Sequence, residues 1–142
     1  MKDFKIAVCQ VMPTEDKARN IKRTKEMIDE AGKNNASLIV LGEMFNCPYE
    51  NEFFPKFAEP VPDGETCQTL SQAAKENRVY IVGGSIPEQD EDKIYNTSCI
   101  FNPHGEIIGS HRKMHLFDVE LESGLTFKES DTLGKGNQVT VV

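Results

Sequence analysis

Apolar and polar positions along the chain alternate between short hydrophobic runs and helical stripes. Residues 4–11, FKIAVCQV, form a nearly continuous apolar run, with Ile6 and Val8 inside and Ala7 and Cys9 as further core candidates. That density predicts a strand covered on both faces. Pro13 ends it, and Thr14 or Asp16 can cap the next element. Over 17–31, Ala18, Ile21, Met27 or Ile28, and Ala31 recur at helical spacing among Lys, Arg and Glu. This predicts an amphipathic helix stopped by Gly32. Residues 38–41, LIVL, predict a second strand. Strand, helix and strand in succession make a β–α–β unit, hence parallel strands with a right-handed crossover.

Residues 46–64 combine Pro48, Pro55, Pro60, Pro62 and Gly64 with Tyr49, Phe53, Phe54 and Phe57. A proline-rich aromatic loop of this length is expected to be functional or to fold over something. A second helix is predicted over 65–77, with Cys67, Leu70 and Ala73 or Ala74 inward, then a third strand over 79–83, VYIVG. The pattern then changes. Residues 94–101 alternate as a strand, Asn102-Pro103-His104-Gly105 is a turn, and 106–110 start back, which predicts an antiparallel hairpin. Residues 111–118 lead into a loop of mixed charge, and 139–142 open another strand. With no repeat, low-complexity stretch or linker, the reading is a single α/β domain.

Composition narrows the function classes. A chain of 142 residues is long enough to bury ~68–70% of the surface its unfolded form exposes. A net charge of −7 argues against nucleic-acid or anionic-membrane partners, which are bound through clustered Lys and Arg. No apolar run reaches the length of a membrane span. Met1-Lys2-Asp3-Phe4 leads straight into a strand pattern, so a leader is not expected and the cytoplasm is the expected compartment. Cys9, Cys47, Cys67 and Cys99 fit neither a CxxC pair nor a zinc site. They are expected to be reduced, small buried hydrophobes, and no metal or cofactor is expected.

Three residues could carry chemistry. Glu43 follows Gly42 at the carboxyl end of the second strand, where open α/β sheets place ligands. The bland alternative is a solvated strand-end glutamate. Phe45, Tyr49 and Phe53 could keep water from it, as suits a general base. Lys113 stands among His111, Arg112 and His115. An Arg-Lys pair is ordinarily a basic surface turn, but Met114, Leu116 and Phe117 alternate with the polar residues here, so one lysine can face inward toward a carboxylate. His115 is read as a structural hydrogen-bonder rather than a base or ligand, and His104 as exposed. Glu129, in FKES, is indistinguishable from any loop glutamate. Gly83-Gly84-Ser85 is too short for a phosphate loop, so nucleotide binding by a doubly wound domain is the weakest option.

Taken in order, KIAVCQ, LIVLGEMFNCPY, VYIVGGSIPE, YNTSCIFNPHGEIIGSHRKMHLFD and FKESDTLGKGNQ resemble the N-terminal half of a nitrilase-superfamily carbon–nitrogen hydrolase. NCPY after the glutamate, and KMHLFD followed by FKES, resemble the omega-amidase branch most. The resemblance implies an α-β-β-α sandwich, incomplete here, that pairs into homodimers when whole. It implies hydrolysis of the terminal amide of small dicarboxylic acid monoamides by a Glu–Lys–Cys triad. Glu43 then matches the general base, Lys113 the lysine that steadies the tetrahedral intermediate, Glu129 a second glutamate beside them, and Tyr49 a wall of the substrate pocket.

The same resemblance places the nucleophilic cysteine in an ICYD-like motif after the strand begun at 139–142, and none of the four cysteines stands in such a context. The 142 residues are therefore expected to be part of the domain and inactive alone. The alternative is a non-catalytic binding or assembly module that keeps the scaffold.

Overall fold

The computed structural model describes residues 4–122, 124 and 126–142. Its elements run β1 (Ile6–Cys9), α1 (Lys17–Lys33), β2 (Leu38–Leu41), α2 (Phe54–Phe57), α3 (Glu65–Asn77), β3 (Tyr80–Val82), β4 (Ile86–Asp90), β5 (Lys93–Phe101), β6 (Ile107–Arg112), β7 (Asp118–Glu120), β8 (Thr126–Lys128) and β9 (Leu133–Gly134). β1, β2 and β3 are parallel neighbours, and β5 runs antiparallel beside β3. The long β5 also carries β4 and β6 as antiparallel partners. β7 and β8 form a separate two-stranded ribbon.

α1 begins where Asp16 accepts the Arg19 amide at 2.9 Å. It runs through Gly32 instead of stopping there. The reason is packing: a Cβ at Gly32 would fall 2.4 Å from Asn77 Oδ1, so glycine lets α1 approach the end of α3. Ala18 faces water, whereas Asn20, Ile21, Thr24 and Ile28 are buried. α3 has a side-chain-less N-cap, Gly64. Glu59 serves in its place, accepting the Thr66 amide at 3.0 Å and pairing with Lys17 at 3.2 Å.

α1 and α3 lie side by side, so both helices cover one face of the sheet. That face holds the main core: Cys9, Ile39, Leu41, Leu70, Ile81, Cys99 and Phe101 with Ile28 and Ala73. The register sets Ile6 beside Leu38 and Leu38 beside Tyr80 on the opposite face. There Ile6 is 54% exposed and Val8 70% exposed. The first strand is thus covered on one face, and the inward residues are Cys9 and Ala7 rather than Ile6 and Val8. Among the described residues the two long helices, α1 and α3, lie on the same face, whereas a doubly wound sheet carries its helices on both.

Residues 46–64 make a second, smaller core. Met44, Cys47, Phe53, Phe54, Phe57 and Leu133 are buried together, with Tyr49, Leu116 and Phe127 against them. Residues 139–142 form no strand. Thr140 donates its hydroxyl to Ser110 O at 3.1 Å, but a ladder is lacking, and apolar residues alone do not make a strand.

Candidate active site

Glu43 lies on the turn that leaves β2, at the carboxyl end of the parallel strands. Lys113 follows β6, and the pairing of that strand explains its direction. Ser98 pairs with His111 and Thr97 with Arg112, so successive residues point to opposite faces. Arg112 turns to one side, where it grips Glu88 at 2.6 and 2.8 Å and Asp90 at 2.8 Å, with its guanidinium 4.0 Å over the Tyr95 ring. Lys113 turns to the other. Its backbone is pinned as well, its amide donating to Asn96 O at 2.8 Å and its carbonyl accepting from Gly136 at 2.9 Å.

The Lys113 ammonium donates to Glu43 Oε1 at 2.8 Å and pairs with Glu129 at 3.0 Å. Tyr49 completes the group, its hydroxyl donating to Glu129 at 2.5 Å and lying 3.4 Å from Lys113 Nζ. All four residues singled out in the sequence are therefore brought together, although they span 86 positions of separation at most, from Glu43 to Glu129. Their environments differ. The Glu129 side chain is completely buried, that of Lys113 is 25% exposed and that of Glu43 49% exposed. The aromatic shield expected around Glu43 is absent: Phe45 belongs to the main core and Phe53 to the smaller one. Tyr49 stands behind Lys113, wedged between Phe54 and Phe127 with ring centroids 5.7 Å away.

Electrostatics follow the contacts. Burial favours the neutral form of Lys113, but hydrogen bonds to Glu43 and Glu129 outweigh it and hold the ammonium above the usual lysine range. Burial would raise Glu129, yet the Phe117 amide, the Tyr49 hydroxyl and Lys113 more than offset it and keep the carboxyl below its ordinary value. Burial, then the hydrogen bond to Glu129, pushes the Tyr49 phenol up, so it is a lasting proton donor. The site contains a fixed cation and two carboxylates.

Beside this group is a cavity of about 500 Å³, lined by Glu43, Lys113, Asn96, Ser98, His111 and His115 among others. His111 contacts Thr140 Oγ1 at 3.2 Å. His115 is exposed and makes no side-chain hydrogen bond among the described residues, unlike the structural role expected of it. His104 is exposed on its turn. Among the described residues no cysteine lines the cavity. Cys47, nearest in sequence to Glu43, is fully buried, and burial pushes its thiol up to about 12 against the pull of Lys17. Among the described residues no cluster of His, Cys, Asp or Glu is arranged to hold a metal.

Sequence reasoning misses Asn96 and Ser85. Asn96 donates to Glu43 Oε1 at 2.8 Å, and Ser85 Oγ accepts the Met44 amide at 3.0 Å. The strand pattern singles out neither of them, since Thr97 and Ser98 beside Asn96 are polar as well.

The sequence matches the carbon–nitrogen hydrolase family model over residues 5–142. It is 48% identical to nitrilase homolog 2 of Dictyostelium discoideum over 99% of this chain and 43% of that protein. It is 43% identical to omega-amidase NIT2 of Mus musculus, over 96% of this chain and 49% of that one. The crystal structure of Saccharomyces cerevisiae Nit3, a member of branch 10 of the nitrilase superfamily, shares the fold with a TM-score of 0.82. That pair is 38% identical over 96% of this chain and 50% of Nit3. The chain spans about half the length of the curated relatives it matches. With the family model covering nearly every residue and the α/β architecture shared with Nit3, this chain belongs to the carbon–nitrogen hydrolase family.

Proposed function

We propose that these residues supply the base and the cation of an omega-amidase-type site, which hydrolyses the terminal amide of small dicarboxylic acid monoamides to acid and ammonia. One observation carries the reading: a single ammonium, Lys113, is held between Glu43 and Glu129 beside an open cavity at the strand ends. Residues 1–142 are on this reading one part of a hydrolase domain, whose nucleophile is a cysteine supplied from beyond Val142. The whole protein acts in the cytoplasm as a homodimer and needs no cofactor.

The chemistry fits the groups present. Glu43 takes the proton of the incoming thiol, whose thiolate adds to the amide carbonyl. Lys113, already fixed by two carboxylates, stabilises the oxyanion without reorganising. The proton held by Glu43 passes to the departing nitrogen, and ammonia leaves. Water then attacks the thioester with Glu43 again as base, releasing the acid and restoring the thiol. Glu129 keeps Lys113 charged and aimed, and Tyr49 bounds the pocket from the side of Lys113.

A chain extended through the strand beyond Val142 should release ammonia from glutaramate-type amides, and residues 1–142 alone should release none. In the extended chain Glu43→Gln should lower kcat by ~10²–10⁴-fold. Lys113→Met should lower it by ~10²–10³-fold. Turnover by residues 1–142, or full activity in Glu43→Gln, would sink the reading. An extended chain that folds but hydrolyses none of these amides would favour a non-catalytic module.

A further inference from the structure

Gly83-Gly84-Ser85 takes no direct part in the thiol chemistry, and it carries no phosphate-binding pattern. Its position gives it another use. β2 and β3 are parallel neighbours, so their carboxyl ends lie side by side: one continues into Gly42-Glu43-Met44 and the other into Gly83-Gly84-Ser85. The two turns are stitched together through Ser85. Its amide donates to Gly42 O at 3.3 Å, and its hydroxyl accepts the Met44 amide at 3.0 Å. Both chain neighbours of Glu43 are thus bonded to one buried serine. The turns are also in backbone contact. Gly84 has φ +54°, and a Cβ there would lie 2.0 Å from Gly42 O. Met44 itself holds a left-handed φ of +49°, with its side chain buried in the smaller core. A non-glycine residue keeps that conformation only where its surroundings over-determine it.

A third hold comes from β5. Asn96, 3% exposed, donates Nδ2 to Glu43 Oε1 at 2.8 Å, and Lys113 donates to the same oxygen at 2.8 Å. Among the described residues that contact is the only hydrogen bond of the Asn96 amide group, so its side chain is committed to the carboxylate. Glu43 Oε1 is doubly engaged, whereas Oε2 accepts no hydrogen bond among the described residues. Since half of the Glu43 side chain is open to solvent, burial does not immobilise it, and directed bonds must do so.

We propose that Asn96 and the Gly84-Ser85 turn are positioning residues that fix Glu43, engaging Oε1 so that Oε2 is the oxygen that exchanges the proton. The proposal rests on Glu43 being the general base. A displacement of about 1 Å at such a group can cost ~10²-fold in rate, because proton transfer is steeply sensitive to distance and angle.

The test is kinetic, in the extended, active chain with a glutaramate-type amide. Asn96→Ala and Ser85→Ala should each lower kcat by ~10-fold or more while KM changes less than ~3-fold, since only the reacting geometry is lost. Ser85→Thr, which keeps the hydroxyl, should recover most of the rate. Gly84→Ala should be the most damaging, but it risks misfolding, so Ser85→Ala carries the test and its melting curve is recorded alongside. The decisive arm uses Glu43→Asp, whose carboxylate is one methylene short of Asn96. In that background Asn96→Ala should cost ~2-fold or less, because the coupled contact is already gone. An equal cost of Asn96→Ala in both backgrounds, with Glu43→Gln inactive, overturns the positioning role and leaves Glu43 as base. Full activity in Glu43→Gln removes the base and this proposal with it.

Discussion

Glu129 shows how one buried charge is kept at low cost. Its carboxylate receives the Phe117 amide, the Tyr49 hydroxyl and the Lys113 ammonium, so both of its oxygens have donors. The depressed carboxyl makes a signed prediction. Its contribution to stability is present above the ordinary value of 4.5 and is lost as pH falls through the lower folded-state value. Denaturant titrations from about pH 7 to about pH 3 should show this acid loss in the parent protein and a shallower one in Glu129→Gln. Equal slopes would show that Glu129 is not the group responsible. Tyr49→Phe removes a hydrogen bond to a charged group, so it should cost ~1.5–3 kcal/mol in the same titration. Glu129 looks like any loop glutamate in the sequence because its burial is created by residues distant along the chain, Tyr49 and Phe117 among them. Asn96 escapes notice for a related reason: an asparagine on a strand announces nothing until the carboxylate opposite it is known.

Among the elements, legibility follows local punctuation. The helix over 65–77 is found with the same limits, because prolines and Gly64 precede it and its apolar positions recur cleanly. The hairpin around Asn102-Pro103-His104-Gly105 also forms, Gly105 taking φ +81° against Ser71 O, where a side chain would collide. β4 has no such signal. Pro87, its second residue, is a breaker in general, yet β4 is at the sheet edge, where a missing amide is tolerated. Gly32 misleads in the opposite sense, as a packing glycine inside α1. The α1 cap offers a simple check. Replacing Asp16 by Ala removes the bond to the Arg19 amide and should destabilise the protein by ~1 kcal/mol in thermal or denaturant unfolding. No change would mean that Thr14, or the Asn20 bonds to it, already closes the helix start.

For the molecule as a whole, the dominant fact is a sheet with one face under α1 and α3 and the other partly open from β1 to β3. Ile6, Val8 and Tyr80 present apolar surface there, with Tyr80 46% exposed. Such a face drives association or dye binding. Residues 1–142 alone should bind a hydrophobic dye strongly and self-associate in sedimentation. Val8→Lys should reduce both, and a monodisperse, dye-silent parent would contradict the account.

The linear sequence determined which short runs become strands and helices, since apolar periodicity, caps and turns act over a few residues. It also determined the chemical types available, with Glu43 at a strand end and Lys113 among alternating apolar residues as the settings that stood out. Which sheet face is covered, which way Lys113 points between Arg112 and Met114, and which oxygen of Glu43 stays free were decided only in three dimensions. Those properties depend on strand register and on contacts between residues as far apart as Glu43 and Lys113, and local pattern does not encode them.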